Sequence, residues 1–298
     1  MQIFLGIIIV IVIQNLFQSK AKGYIVAMFS GLDYRQWCTE NGIHDLVGIT
    51  LENYGTVEGK KAHDLYSTVD PAIDIAFPPE LDDLIRLHYL VRTRKVTTIL
   101  EFGVGKSTII FADALSKNKE EYGEYVAKNL RRSNPFEIHS VDTSEEWIAT
   151  CKKNFPSALA GFVHFSVSTV QMTTFNGRAC TMYDRIPNIC PDLLYLDGPD
   201  QYCVGNDVHG ISTASADRLP MAADILLFEP FLLPGTLIVV DGRTANARFL
   251  RSNLQRNWEY LHDTGADIHL FELVEAPLGT INKRQLEFCL GDAAKRFV

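Results

Sequence analysis

The chain has 298 residues, of which 28 are basic and 36 acidic, for a formal net charge of −8. A hydrophobic content of 47% with 21% charged residues suits a packed core and excludes a disordered chain. The acidic balance argues against a general nucleic-acid binder, which carries a basic excess.

The first stretch, MQIFLGIIIVIVI, is nearly all apolar and continues past Gln14 and Asn15 to Leu16 and Phe17. A spanning helix needs about 20 apolar residues, with about 17 as the lower limit. No basic residue precedes the run, as a signal peptide would require, whereas Lys20 and Lys22 follow it. By the positive-inside tendency the rest of the chain then faces the cytoplasm. The β-branched content also suits a strand or helix buried in the fold or in a partner chain. Residues 1–22 are therefore read as a hydrophobic anchor or a buried segment, with membrane association taken forward as the expectation. Residues 23–95 form an N-terminal extension with helices, and 96–298 the main domain.

Residues 24–77 show no clean period and are read as irregular with short helices. Pro78-Pro79-Glu80 opens a helix, since proline is tolerated in a first turn and acids follow at 80, 82 and 83. From 97 onward strands and helices alternate. Strands are expected at Thr97–Phe102, Phe136–Val141, Phe162–Val167, Asp192–Asp197 and Gly235–Asp241. Helices are expected at Ser107–Leu115, Ser144–Asn154, Asp217–Phe228 and Ala245–Arg256, with Lys117–Ser133 as a charged, helix-prone insertion. Trp258–His262 and Ile268–Val274 close as two strands around the turn Asp263-Thr264-Gly265. The six cysteines form no CxxC pair and no zinc spacing, and are read as reduced thiols.

Apolar strands alternating with helices imply a parallel sheet covered on both faces. Ligands bind beyond the carboxyl ends of such strands. Glu101, Asp142, Asp197 and Asp241 all fall there. Any one of them is equally well a helix cap; four together point to a site.

The stretch EFGVGKSTI at 101–109 poses the choice of ligand. A phosphate-binding G-x-x-x-x-G-K-[ST] loop fits Gly105, Lys106 and Ser107, but Leu100 stands where its first glycine belongs. A dinucleotide G-x-G-x-x-G matches Gly103 and Gly105 and then meets Thr108. An apolar strand, an acid and G-x-G, with Ser107 where a third glycine often sits, resembles the first motif of class I S-adenosylmethionine-dependent methyltransferases. HSVD at 139–142 resembles their second strand, DLLYLDGP at 192–199 their fourth, and LPGTLIVVD at 233–241 their fifth. The resemblance covers about 97–275. It implies a Rossmann-like, doubly wound, mostly parallel seven-stranded sheet with an antiparallel last strand, and S-adenosylmethionine as cofactor. The cofactor-binding residues it implies are Glu101, Gly103, Val104, Gly105, Ser107, Asp142, Thr143, Ser168 and Asp197. Asp142 is expected to take both ribose hydroxyls with two free oxygens.

For the chemistry, methyl transfer to oxygen needs a positioned acceptor and a proton acceptor. Asp197, Asp200, His209 and Asp241 are the candidate catalytic residues, and Arg243 and Tyr202 the candidate substrate-binding ones. Asp197 and Asp241 resemble two of the metal-binding acids of catechol-type O-methyltransferases, but Gly242 stands where the third ligand, an asparagine, would be. A divalent metal is thus an incomplete match. Arg243, Arg248, Arg251 and Arg256 crowd one stretch and suggest an anionic acceptor. Arg251 and Arg256 read better as solvated charges, leaving Arg243 for the site. The function implied is O-methylation of a small polar or glycan-related acceptor. Its rivals are a P-loop-like NTPase and a catalytically silent Rossmann-like binding module.

Overall fold

The computed structural model describes residues 28–48 and 80–297. The apolar segment 1–22, most of 23–79 and the Pro78-Pro79 helix start lie outside the described residues. Among the described residues, no helix is long and apolar enough to cross a membrane.

Two short helices come first, α1 (Tyr34–Asn41) and α2 (Ile43–Val47). The Asp33 carboxylate caps α1 by accepting the Gln36 N–H at 2.9 Å, and Gly42 ends it in the left-handed region. Helix α3 (Leu81–Thr93) follows where the apolar spacing put it, with Asp82 and Asp83 in its first turn. Its buried His88 accepts the Trp37 Nε1–H at 3.0 Å and meets Asp113 of the next helix at 2.9 Å. The helices of the N-terminal extension therefore share one apolar core with the main domain, in which Cys38, Ile43 and Leu84 pack with Ile99 and Ile110.

The main sheet contains β1 (Thr98–Phe102), β2 (Glu137–Asp142), β3 (Val163–Val167), β6 (Leu193–Leu196), β7 (Leu237–Asp241), β8 (Trp258–Asp263) and β9 (Ile268–Leu273). Its order is β3-β2-β1-β6-β7-β9-β8. The first five strands run parallel, and β9 runs antiparallel to both β7 and β8. This is the doubly wound, Rossmann-like sheet with a reversed last strand that the motifs implied. Side chains alternate between two cores. Ile99, Leu193, Tyr195, Leu237 and Val239 enter one, and Leu100, Phe102, Leu194, Leu196, Ile238 and Val240 the other. The strand order reverses between β1 and β6, which opens a crevice at their carboxyl ends.

Three departures from the expected elements have local causes. Helix α4 (Lys106–Asn129) is one 24-residue helix that absorbs the charged insertion. No proline interrupts it, its charges sit outside, and Asn118 turns inward to donate to the Val91 and Val96 carbonyls at 3.0 and 2.9 Å. Helix α5 (Glu145–Asn154) keeps its Ser144 cap. The expected helix at 217–228 shrinks to α6 (Asp224–Phe228). Pro220 disfavours helical backbone at the residue before it, so 217–223 run irregularly. Between β3 and β6 lies an unanticipated hairpin, β4 (Val170–Phe175) and β5 (Arg178–Tyr183), turned at Asn176-Gly177 with φ of 49° and 72°. Helix α7 (Thr244–Asn253) follows β7, and an unanticipated α8 (Gly279–Leu290) closes the chain with a 3₁₀ turn at Gly291–Arg296.

Candidate functional site

Strand β1 ends in Glu101 and Phe102, and the loop Gly103-Val104-Gly105 leads into α4. Glu101 is fully buried. Its Oε1 accepts from Ser107 at 2.6 Å, and its Oε2 accepts from Thr108 at 2.7 Å and from Ser140 at 2.6 Å. Burial pushes its pKa up to about 7 against these three donors, and the nearby Asp197 adds to the rise. Glu101 thus orders the loop from beneath. The Ser107 and Thr108 hydroxyls, which in a phosphate loop would face the ligand's metal, are committed to it. Lys106 is exposed.

Glycine is required at two facing positions. Gly103 has φ +97°, a region side chains rarely adopt. A Cβ on Gly198, in the loop after β6, would lie 2.7 Å from the Gly103 nitrogen and 2.8 Å from its Cα. The two loops at the switch point therefore touch backbone to backbone.

Asp142 ends β2 and is half-buried. Its Oδ2 accepts the Val104 N–H at 2.9 Å and its Oδ1 the Ser144 N–H at 2.9 Å. The expectation of two free oxygens is corrected: each already holds one backbone donor. A carboxylate has about four lone-pair sites, so each oxygen keeps one for a further hydroxyl. Thr143 follows, half-buried. Ser168 lies beyond β3, with its N–H on the Asp142 carbonyl at 2.9 Å and its hydroxyl taken by the Arg185 N–H at 2.9 Å. Trp147 of α5 reaches back to donate its indole N–H to the Val104 carbonyl at 2.5 Å.

Beyond β6, the Asp197 side chain keeps 55% of its surface open to solvent. The protein walls around it raise its pKa, with Arg243 opposing and Asp142 adding to the rise. Arg243 donates to the Asp197 and Pro199 carbonyls, the latter at 2.7 Å, and its Nε lies 3.7 Å from the Asp197 carboxylate. The guanidinium expected to bind substrate instead braces the cis Gly198–Pro199 loop. Asp241 ends β7 and accepts the Tyr195 hydroxyl at 2.8 Å. Burial and then the charge of Asp197 push the Asp241 pKa up to about 6.

The remaining candidates scatter. Asp200 is exposed and accepts the Tyr202 N–H at 2.8 Å, which closes a local turn. His209 is exposed at the tip of a narrow turn closed by Val208 and Ile211, with φ +55°. Arg251 stacks over Tyr260 at 4.5 Å, and Arg256 clasps Glu275 while donating to the Glu229 and Leu232 carbonyls. Neither is a merely solvated charge, and the case for an anionic acceptor weakens with them. No third ligating side chain joins Asp197 and Asp241 among the described residues.

No sequence motif points to three further residues of this edge, Trp147, Tyr195 and Tyr183. Tyr183 stacks on Phe102 with centroids 5.9 Å apart, and burial, then Asp142 and Asp224, raise its pKa. Trp147 and Tyr195 place their polar tips on the Val104 carbonyl and the Asp241 carboxylate.

No family model and no curated protein matches the chain. Solved structures with a similar layout include an SAH-bound methyltransferase of Podospora anserina, at 13% identity over 73% of this chain and 88% of that one, with a TM-score of 0.39. The O-methyltransferase of Bacillus cereus in complex with SAH has 14% identity over 80% and 98%, with a TM-score of 0.38. The O-methyltransferase TomG of Streptomyces achromogenes, in complex with SAM, has 15% identity over 81% and 99%, with a TM-score of 0.34. At this overlap the likeness concerns layout, and the chemistry is read from the residues above.

Proposed function

We propose that the chain is an S-adenosylmethionine-dependent methyltransferase acting on a hydroxyl oxygen of a small polar or glycan-related acceptor. The observation that carries this reading is the gathering of Glu101, Asp142, Asp197 and Asp241 at one sheet edge, where the charge of Asp197 helps raise the pKa of Glu101 and of Asp241. Such an edge favours a cationic ligand over a nucleoside triphosphate. When bound, S-adenosylmethionine supplies an electrophilic methyl group on a positively charged sulfonium.

The residues present fit that ligand. Asp142 keeps a lone pair on each oxygen for two adjacent ribose hydroxyls. Gly105, near whose Cβ position only the Ser107 hydroxyl lies, at 3.8 Å, leaves the loop backbone bare where the methionine portion would lie. The open carboxylate of Asp197 suits the ammonium group. Asp241, with a pKa near 6, is a base matched to neutral pH. It takes the proton of the acceptor hydroxyl, and Tyr195 holds it in place.

Thermal unfolding tests the ligand. S-adenosylhomocysteine should raise the melting temperature and ATP should not. Stabilisation by ATP alone would establish the NTPase instead, and no effect of either would leave a silent binding module. For the base, Asp241→Asn should lower kcat by about 10²–10⁴-fold, and the wild-type rate should climb as pH rises through about 6. An unchanged rate in that variant removes Asp241 from catalysis. We also propose that residues 1–22 hold the chain at the cytoplasmic face of a membrane. A chain lacking residues 1–20 should move to the soluble fraction with its donor affinity intact. Misfolding of the truncated chain, with the full chain soluble, refutes the anchor.

A further inference from the structure

The crossover from β3 to β6 is made by the β4–β5 hairpin rather than by a helix, and β3 is one of the sheet's two edge strands. On this edge His139 of β2 stands directly across from His164 of β3, and their rings stack at 4.5 Å. Glu137, two residues before His139, lies on the same face. Its Oε2 sits 3.0 Å from His139 Nε2 and 3.4 Å from His164 Nε2. Asn134 Nδ2 donates to that same oxygen at 2.9 Å. Three nitrogens thus converge on one oxygen, which offers two lone pairs.

We propose that Glu137, His139 and His164 bind a divalent transition ion of the Zn²⁺ class. Two imidazoles and one carboxylate are ligands of the borderline kind that Zn²⁺ takes, and three protein ligands leave a fourth position for water. Bond lengths of about 2.0–2.1 Å in a tetrahedral site put ligand atoms about 3.3 Å apart. The two oxygen–nitrogen separations here bracket that value, and all three ligand atoms lie within 4.8 Å of one another. The His164 side chain is 52% exposed, so an ion has entry and the ring has room to turn. Asn134 holds the ligating Oε2 through one lone pair and leaves the other for the ion. The site is remote from the cleft, since Glu137 and Asp142 are five residues apart along β2, about 16 Å. Bound there, an ion clips the edge strand to its neighbour and stabilises only the folded chain. A second cluster, His262, Asp267 and His269, lacks this freedom. Both nitrogens of the buried His269 are held, by Thr244 at 3.0 Å and Tyr260 at 2.9 Å.

Titration calorimetry of the full chain with ZnCl₂ at neutral pH tests the site. One ion should bind, and His164→Ala should weaken it about 100-fold and Asn134→Ala about tenfold, with His262→Ala unchanged. Circular dichroism checks that each variant folds, and His164→Gln repeats the test with a side chain of similar size. Co²⁺ bound in place of Zn²⁺ should show visible d–d bands without a thiolate charge-transfer band, because no cysteine takes part. Full affinity in the His139→Ala/His164→Ala double variant overturns the proposal. So does a thiolate band, which would move the ion to exposed Cys190 or Cys203, and so does failure of the full chain to bind Zn²⁺.

Discussion

The two ends of the sheet both gather acids and treat them in opposite ways. At the amino end, Asp192 accepts the Thr97 and Thr98 N–H groups at 2.9 and 3.1 Å and Gln285 at 2.6 Å, and pairs with Arg132 at 3.0 Å. Glu272 of β9, fully buried, lies between Arg94 and Arg296. At the carboxyl end, among the described residues, Glu101 receives only hydroxyls, Asp142 only backbone amides and Asp241 a tyrosine hydroxyl. Arg243 is the one guanidinium in an ion pair with any of the four among the described residues, and most of its bonds go to carbonyls. An acid matched to arginines ties elements together. Acids held by neutral donors beside other acids keep a negative field for a ligand to complete.

The widest separation between the two ends should appear on removing one acid from each. Glu272→Ala takes the buried carboxylate away from Arg94, which keeps the Gly235 carbonyl at 2.8 Å, and from Arg296, which keeps Glu259 at 3.1 Å, and breaking a buried pair in this way costs about 3–5 kcal/mol. Urea unfolding should show that loss, while the surviving folded fraction binds S-adenosylhomocysteine normally. Asp142→Ala should do the reverse. Donor affinity should fall by about 1.5–3 kcal/mol, roughly tenfold to a hundredfold, with a smaller stability change for its two backbone partners. Unchanged calorimetric affinity would take Asp142 out of the site. Gly198→Ala sharpens the contrast, because its Cβ must push against the Gly103 backbone. A cost of about 1–3 kcal/mol, felt in donor affinity as well as in stability, is the expected result, and an unaffected donor affinity would mean that the loop contact does not shape the site.

Sequence pattern located the acids better than it assigned their duties. The strands were legible because TILEF, LLYL and LIVVD are apolar runs that end at or beside an acid. The hairpin at 170–183 is equally legible in principle, since Asn176-Gly177 sits between two strand-length runs. Helix 217–228 was overextended through Pro220. What no pattern shows is which distant group reaches an acid. The partners of Glu101 come from α4 and β2, and that of Asp241 from β6. Arg243 looked like a substrate ligand because its strand-end position was visible, whereas the carbonyls it clasps, 44 and 46 residues earlier, were not.

The smallest effect, and the most direct measure of the unpaired field, is the stability of Asp241→Asn. Burial and the neighbouring Asp197 raise the folded pKa of Asp241 to about 6 from an ordinary 3.8. A carboxyl whose pKa rises on folding favours the protonated form in the folded state. Its ionised form therefore destabilises the fold above pH 6, and that penalty fades as pH falls through 6 toward 4. Asparagine removes the charge and still accepts the Tyr195 hydroxyl through its side-chain oxygen. Each unit of pKa shift corresponds to about 1.4 kcal/mol, and relaxation of Asp197 reduces the full amount. Asp241→Asn should thus gain about 1–2 kcal/mol over the wild type at pH 7, and the gain should roughly halve by about pH 5 and shrink toward zero only near pH 4. An amino-end variant such as Glu272→Gln should show no such gain, because its charge is already matched. If Asp241→Asn is no more stable than the wild type at pH 7, or if its advantage does not fade with acid, the carboxyl-end acids are compensated after all and the contrast between the two ends fails.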